Sequence, residues 1–235
     1  MSAAQSRRGL VWAIAGAVVL LLAVVAMIIS SLAGKPDSHT STPPVASPST
    51  PGTIAPPSGS VVDASVSRFG WLPEPITTNR DAYIRAALAA ASTFDPSKST
   101  RDNFLAYLAT WFTPDTRWTH AEDRANATQL YLGELSGSVV LPDDQWAQMR
   151  TNRSTVSAKV DGPITYVTVP NNPGGMAIGT ANVTLIYRQG TLVNEDHVRV
   201  SVQVLCGPGS VPTPKSAQQA GDCKVVRFFD TAVEG

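Results

Sequence analysis

Three periodicities succeed one another along the chain, and the places where they change divide it. From Gly9 to Leu32 there is no period and no charge: the run is dominated by Leu, Val, Ile and Ala. A helix rising about 1.5 Å per residue needs about 20 such residues to cross the hydrocarbon layer. Residues 9–32 are therefore expected to be a transmembrane helix, with Trp12 near one interface. Arg7 and Arg8 precede the run, while Lys35 is nearly cancelled by Asp37. The positive-inside bias puts residues 1–8 in the cytoplasm and everything after residue 32 outside it. Ser31-Leu32-Ala33 has the small-x-small form of a cleavage site, so a cleaved signal peptide is the alternative; its apolar region would normally run only about 7–15 residues.

Residues 33–60 include KPDSHTSTPPVASPSTPGTIAPPSGS, with no aromatic residue and only Val45 and Ile54 as β-branched aliphatics. Such a stretch cannot bury enough surface to offset chain entropy and reads as a disordered spacer. At about 3.1 Å per residue in extended proline-rich form, it reaches roughly 80 Å.

From residue 61 to 235 a folded domain is expected, and it opens with a period of three to four. Thr78 and Asp81 have capping-box spacing, followed by Tyr83, Ala87, Ala90 and Phe94 on one face. Ser99 and Asp102 repeat the signal before Phe104, Leu105, Leu108, Trp111 and Phe112. Thr113-Pro114-Asp115 ends that helix. Thr119 and Glu122 start a third, with Ala121, Ala125, Thr128 and Leu132 as a weaker face, and a short turn after Pro142 carries Trp146 and Met149. The period then falls to two. Five strands are expected: Thr155–Val160, Ile164–Val169, Ala177–Gln189, Glu195–Cys206 and Lys224–Phe229. Asp161-Gly162 suits a hairpin between the first two, and Gly190 to Asn194 a longer turn between the third and fourth. In the fourth, Val198, Val200, Val202 and Val204 alternate with His197, Arg199, Ser201 and Gln203, predicting one buried and one wetter face. Helices followed by meandering strands predict an α+β domain, its helices on one face of a curved antiparallel sheet.

Charge narrows the function classes. The chain carries eighteen basic and eighteen acidic residues; three basic and one acidic precede residue 61, leaving 15 against 17. A weakly acidic domain without a basic stripe is a poor nucleic-acid binder, so no direct nucleic-acid partner is expected. Cys206 closes one strand and Cys223 opens the next. Outside the cytoplasm their oxidation is favoured, and adjacent strand ends supply the short separation a disulfide requires. Metal binding would need more ligands than two cysteines, and a reactive thiol would leave its companion without a purpose.

No phosphate-cradling glycine loop, zinc-helix motif or nucleophile elbow occurs, so no catalytic, metal or cofactor residue is assigned and no enzyme is expected. His120 and His197 are the domain's histidines; His197 lies on the wetter strand face. Asp143 and Asp144 stand where carboxylates favour a helix start. Trp111, Trp118, Trp146 and Tyr131 could line a ligand cage, although Trp111 lies on an apolar stripe.

The order of anchor, spacer, Ala- and aromatic-rich helices and curved meander resembles the cone-shaped nuclear transport factor 2-like fold. It looks like the extracytoplasmic domains of bitopic conjugation proteins: the TcpC family and the assembly-factor subunits of type IV secretion. The segments that carry this are AYIRAALAAASTF, NFLAYLATWFTPDTRW, ANVTLIYRQ and DHVRVSVQVLC, over most of residues 78–230. The resemblance implies a non-enzymatic, single-pass scaffold of the cell membrane whose partners are other membrane-complex subunits, with self-association compatible. Anchored proteins that accompany lipid-import systems look similar too, which keeps a lipid or wall-precursor binding domain as the alternative. A third reading is an isomerase or dehydratase on the same fold, for which Asp161 and Tyr166 are the candidates.

Overall fold

The computed structural model describes residues 61–234. The cytoplasmic tail, the transmembrane helix and the spacer expected at 1–8, 9–32 and 33–60 lie outside the described residues.

Within the described residues four α-helices precede a four-stranded meander. Helix α1 spans Arg80–Ala91, α2 Arg101–Ala109, α3 Ala121–Glu134 and α4 Asp143–Thr151. A 3₁₀ turn at Ala64–Phe69 precedes them, and a π turn at Leu135–Val139 follows α3. The caps lie one residue from those expected: Asn79 accepts from the Ala82 N–H, and Thr100 accepts from the Asn103 N–H. Tyr83, Ala87, Phe104, Leu108 and Trp111 of the expected stripes are inaccessible to solvent, but Leu105 and Phe112 are half-buried and α2 ends at Ala109, short of Trp111 and of the expected stop at Thr113-Pro114. The expected turn after Pro142 is a full helix, whose Trp146 stacks on Phe94 with ring centroids 4.8 Å apart. Helix α3 turns a different face inward from the one expected. Ala127 and Tyr131 are buried, whereas Ala121 and Ala125 are exposed.

Strands β1 (Ser154–Val167), β2 (Met176–Gln189), β3 (Leu192–Leu205) and β4 (Lys224–Phe228) form one antiparallel sheet in the order β1-β2-β3-β4. The α+β class stands, with two corrections to the strand count and turns. The two strands expected on either side of Asp161-Gly162 are one strand. Asp161 pairs with Asn182 and Thr165 with Thr180, so two extra residues of β1 bulge out between them. Gly162, at φ 66°, supplies the local turn. Pro163 is tolerated because β1 is an edge strand and needs no second ladder. Likewise β3 starts at Leu192, which pairs with Gln189, so Gly190 and Thr191 make a two-residue hairpin in place of the longer turn.

The sheet is covered on both faces, another departure from expectation. Val183, Val202, Val204, Val225 and Phe228 face the main core with α1, α2 and α4. On the opposite face Met176, Ile178, Leu205 and Val226 meet Ala127 and Tyr131 of α3. Hence Ser201 and Gln203, expected on a wetter face, are buried: α3 and the C-terminal segment cover that end of the sheet, where the Val233 carbonyl accepts from the Thr180 hydroxyl. From Leu192 to His197 the opposite holds, and every residue is exposed. The β2–β3 arm projects past its helices.

Candidate functional site

The deepest polar cluster joins segments far apart in sequence. Glu74 lies between Pro73 and Pro75, held where the Val62 N–H donates to its carbonyl at 2.8 Å. Lys224, the first residue of β4, places Nζ 2.8 and 3.1 Å from the two Glu74 carboxylate oxygens. Both side chains are 1% exposed. The Tyr83 hydroxyl donates to Glu74 at 2.6 Å and the Gln218 amide at 3.2 Å. Lys224 also donates to the Thr110 carbonyl at 2.8 Å and the Thr213 hydroxyl at 2.7 Å. Burial raises the Glu74 carboxyl and lowers the Lys224 ammonium, each opposed by the charge of the other. Burial and the adjacent carboxylate push the Tyr83 phenol far up. Every Nζ proton has an acceptor, so the ammonium is a fastener with no lone pair to offer. It ties the N-terminal segment, the end of α2 and the 207–222 loop to β4. A cavity of about 300 Å³ lies beside it, bounded by Val62, Val66, Glu74, Tyr107 and Thr213.

That loop is closed where Cys206 and Cys223 are bonded, their Cα atoms 4.0 Å apart. The Cys223 N–H donates to the Thr77 carbonyl at 2.8 Å, so the clip and the ion pair hold the same two strands of chain together.

A second polar cluster lies under α3. The Asp115 carboxylate, fully buried, accepts from the Arg117 guanidinium at 2.6 Å and the Tyr131 hydroxyl at 3.2 Å. Burial works to raise Asp115, but the Arg117 contacts outweigh it and hold the carboxyl below its usual range. Next to it Arg227 forks onto Glu134 at 2.6 and 2.7 Å, with its guanidinium over the rings of Tyr131 and Phe229. The charged groups of this cluster are also paired with one another.

The residues singled out from sequence are dispersed. Asp161 and Tyr166 sit on either side of the β1 bulge, and neither lines this cavity or the larger groove described next. Lys159 at 2.8 Å and the Thr184 hydroxyl at 2.6 Å lower the Asp161 carboxyl, opposite to what a general acid at neutral pH requires. Tyr166 is 48% exposed. His197 Nδ1 is 3.0 Å from the same Thr184 hydroxyl, on the surface of the arm. His120 caps α3 without a side-chain bond, and Asp143 and Asp144 occupy the first turn of α4. Trp111 and Trp146 are in the main core, Tyr131 is in the second cluster and Trp118 is at the surface, so they form no cage. Among the described residues no three His, Cys, Asp or Glu side chains are placed to share a metal.

The space between helices and sheet is filled by Phe104, Leu108, Trp111 and Trp146. The larger concavity, about 410 Å³, is peripheral: Leu88, Val139, Leu185, Val198, Val200 and Phe229 line a groove where the C-terminal segment leaves β4. Sequence reasoning missed both polar clusters. Glu74 and Lys224 lie 150 residues apart, and neither interrupts a periodic pattern that would have marked it as buried.

No family model matches the chain, and no curated protein matches it. Two solved structures are similar to it. One is an IcmL-like type IV secretion system protein from Legionella pneumophila, at 12% identity over 64% of this chain and 88% of that one, with a TM-score of 0.38. The other is CagV, a VirB8 homolog of the type IV secretion system of Helicobacter pylori, at 13% identity over 65% of this chain and 95% of that one, with a TM-score of 0.34.

Proposed function

We propose that the chain is a single-pass membrane protein whose domain, from residue 61 onward, is a non-enzymatic assembly subunit of a cell-envelope secretion apparatus of the conjugative kind, built on a cone-type α+β fold. The observation that carries this reading is the 24-residue uncharged run Gly9–Leu32, followed after a proline-rich spacer by a domain with a disulfide-closed loop. A run of that length suits lipid, and a disulfide suits the oxidising side of a membrane. Two further features support it. The buried charges are spent on fastening segments together, and the order of elements resembles the bitopic subunits of such machines. The filled interior disfavours a lipid carrier, and the lowered carboxyl of half-buried Asp161 disfavours an isomerase. In-cell crosslinking of the full chain, followed by purification from the membrane fraction, is expected to bring down other membrane-complex subunits. An intact chain that fractionates as soluble, or that recovers no such subunit, sinks the proposal.

A further inference from the structure

Lys224, Glu74 and Gln218 are 1%, 1% and 5% exposed, and their atoms stand in an arrangement that an ion pair alone does not require. Gln218 comes from the 207–222 loop, where the Thr213–Ser216 turn, with Lys215 at φ 65°, folds Thr213 back over it. The Thr213 N–H donates to Gln218 Oε1 at 2.8 Å, and Gln218 Nε2 donates to Glu74 Oε1 at 3.2 Å. Those two neighbours fix the orientation of the amide, since a backbone donor demands its oxygen and a carboxylate demands its nitrogen. Lys224 Nζ lies 2.8 Å from the same Glu74 oxygen and 3.5 Å from Gln218 Oε1. With a C=O bond of about 1.2 Å, the Gln218 carbonyl carbon is within about 4.7 Å of Nζ. A small rotation of the lysine stem closes the rest of the way to a near-attack distance of roughly 3–3.5 Å.

The cluster therefore holds an amine, an amide carbonyl polarised by a backbone N–H, and one carboxylate oxygen that touches both nitrogens. These are the parts of a transamidation: nucleophile, oxyanion donor, and a proton carrier between the attacking and departing groups. We propose that Lys224 and Gln218 condense into a side-chain amide within the folded protein, releasing ammonia. Lys224 first passes a proton to Glu74, and the lone pair so freed on Nζ attacks the Gln218 carbonyl carbon. The carbonyl π pair moves onto Oε1, where the Thr213 N–H holds the oxyanion. Glu74 gives its proton to Nε2 and takes another from Nζ. As the pair on Oε1 restores the carbonyl, the bond to Nε2 breaks and its electrons leave with ammonia. The ammonia takes the proton on Glu74 and departs as ammonium, so the positive charge of Lys224 leaves with it. No oxidant or reductant enters the balance. As an ammonium Lys224 has no lone pair, but burial acts against both charges, raising Glu74 and lowering Lys224 toward acid and amine. Water, the competing nucleophile, is excluded from the buried side chains, and the cavity bounded by Glu74 and Thr213 gives the ammonia a way out. The ion pair is the reactant state. The product closes Gln218–Lys224 as a second ring inside the disulfide ring, one that a reductant does not open. The inference rests on this cluster and holds whether or not the secretion reading does.

The test is the mass of the purified full-length chain, kept folded in detergent where its apolar run requires it and then reduced. The folded protein should come to weigh one ammonia less than its sequence. Trypsin locates the loss: an acylated Lys224 is no longer a cleavage site, so Ser216–Arg227 is recovered as one fragment lacking an ammonia. Gln218→Met leaves Glu74 and Lys224 paired, and it should restore both the full mass and the cut after Lys224. Glu74→Gln removes the proton carrier and should slow the loss about a hundredfold or more in chains whose closed disulfide shows them folded. Should Glu74→Gln fail to fold, Gln218→Met decides. Full mass retained in the folded wild-type chain overturns the proposal, as does a loss of ammonia confined to other fragments. So does a loss of water in place of ammonia, which would make Glu74 the group that acylates Lys224, or a loss that persists at Lys224 in Gln218→Met.

Discussion

Lys224→Met keeps the aliphatic stem and deletes the ammonium from the buried cluster. Glu74 would then stand 1% exposed with only the Tyr83 hydroxyl and the Gln218 amide as donors, and the Thr110 carbonyl would keep only the Thr213 hydroxyl. Removing one member of a buried ion pair costs about 3–5 kcal/mol, because the other charge is left in low dielectric. For a domain of this size about 1 kcal/mol moves the melting temperature by roughly 2–4 °C, so a fall of about 6–20 °C is expected. The loss should also depend on pH. Burial already raises Glu74; without Lys224 its folded pKa rises further above the unfolded value. Between those two values the unfolded chain releases a proton that the folded chain keeps, so stability falls as pH rises. The deficit is therefore largest at neutral and alkaline pH and shrinks toward pH 4–5. Urea titration of the oxidised protein, followed by the fluorescence of buried Trp71, Trp111 and Trp146, measures it at each pH. Glu74→Gln combined with Lys224→Met should cost less than the sum of the single changes. A pH-independent loss under about 1 kcal/mol, with additive single effects, would refute the fastening role and reduce the pair to a surface contact.

Three further perturbations probe other parts of the scaffold. Reducing the Cys206–Cys223 bond, or replacing both cysteines with serine, should destabilise by about 3 kcal/mol; melts that coincide with and without reductant would contradict this. Gly179→Ala should cost about 1–3 kcal/mol, since a Cβ there would lie 2.6 Å from Ile84 Cδ1 and 2.9 Å from Ile164 Cγ2, whereas Gly137→Ala, with open space around it, should not destabilise. If the two glycine variants melt alike, the close seating of α1 on β2 is wrong. Asp115→Asn should cost about 2–3 kcal/mol at pH 7. The lowered Asp115 carboxyl contributes stability above its unfolded value, and this is lost as pH falls through the lower folded value. The variant's stability should accordingly decline less steeply below about pH 4, and an unchanged acid limb in denaturant titrations would count against the Arg117 pairing.

What the sequence made legible follows from which signals are local. Helices α1 and α2 advertise themselves through caps and stripes, and Tyr83, Phe104, Leu108 and Trp111 are buried where the period places them. The cysteines meet because each stands at a strand end. Asp161-Gly162 was ambiguous in kind: a glycine at positive φ serves a hairpin and a bulge equally well, and only the partner strand decides. The burial of Ser201 and Gln203 was invisible because their cover comes from the C-terminal segment and a helix far earlier in the chain. The face of α3 was misread for the same reason. Tyr131 turns inward to reach Asp115, a polar attraction that hydrophobic periodicity does not register.

The chain enters the described domain at Val61, whose bridge to Pro75 and whose neighbour's bond to Glu74 place it beside the Lys224 clamp. Tension applied to the polypeptide ahead of Val61 would pass through Glu74 into the first residue of β4 and, one residue further back, into a covalent crosslink. The helices are bypassed. A pull from that direction loads the clamp and the crosslink first, so the domain should resist mechanical peeling from its Val61 end better than its thermal stability alone would suggest.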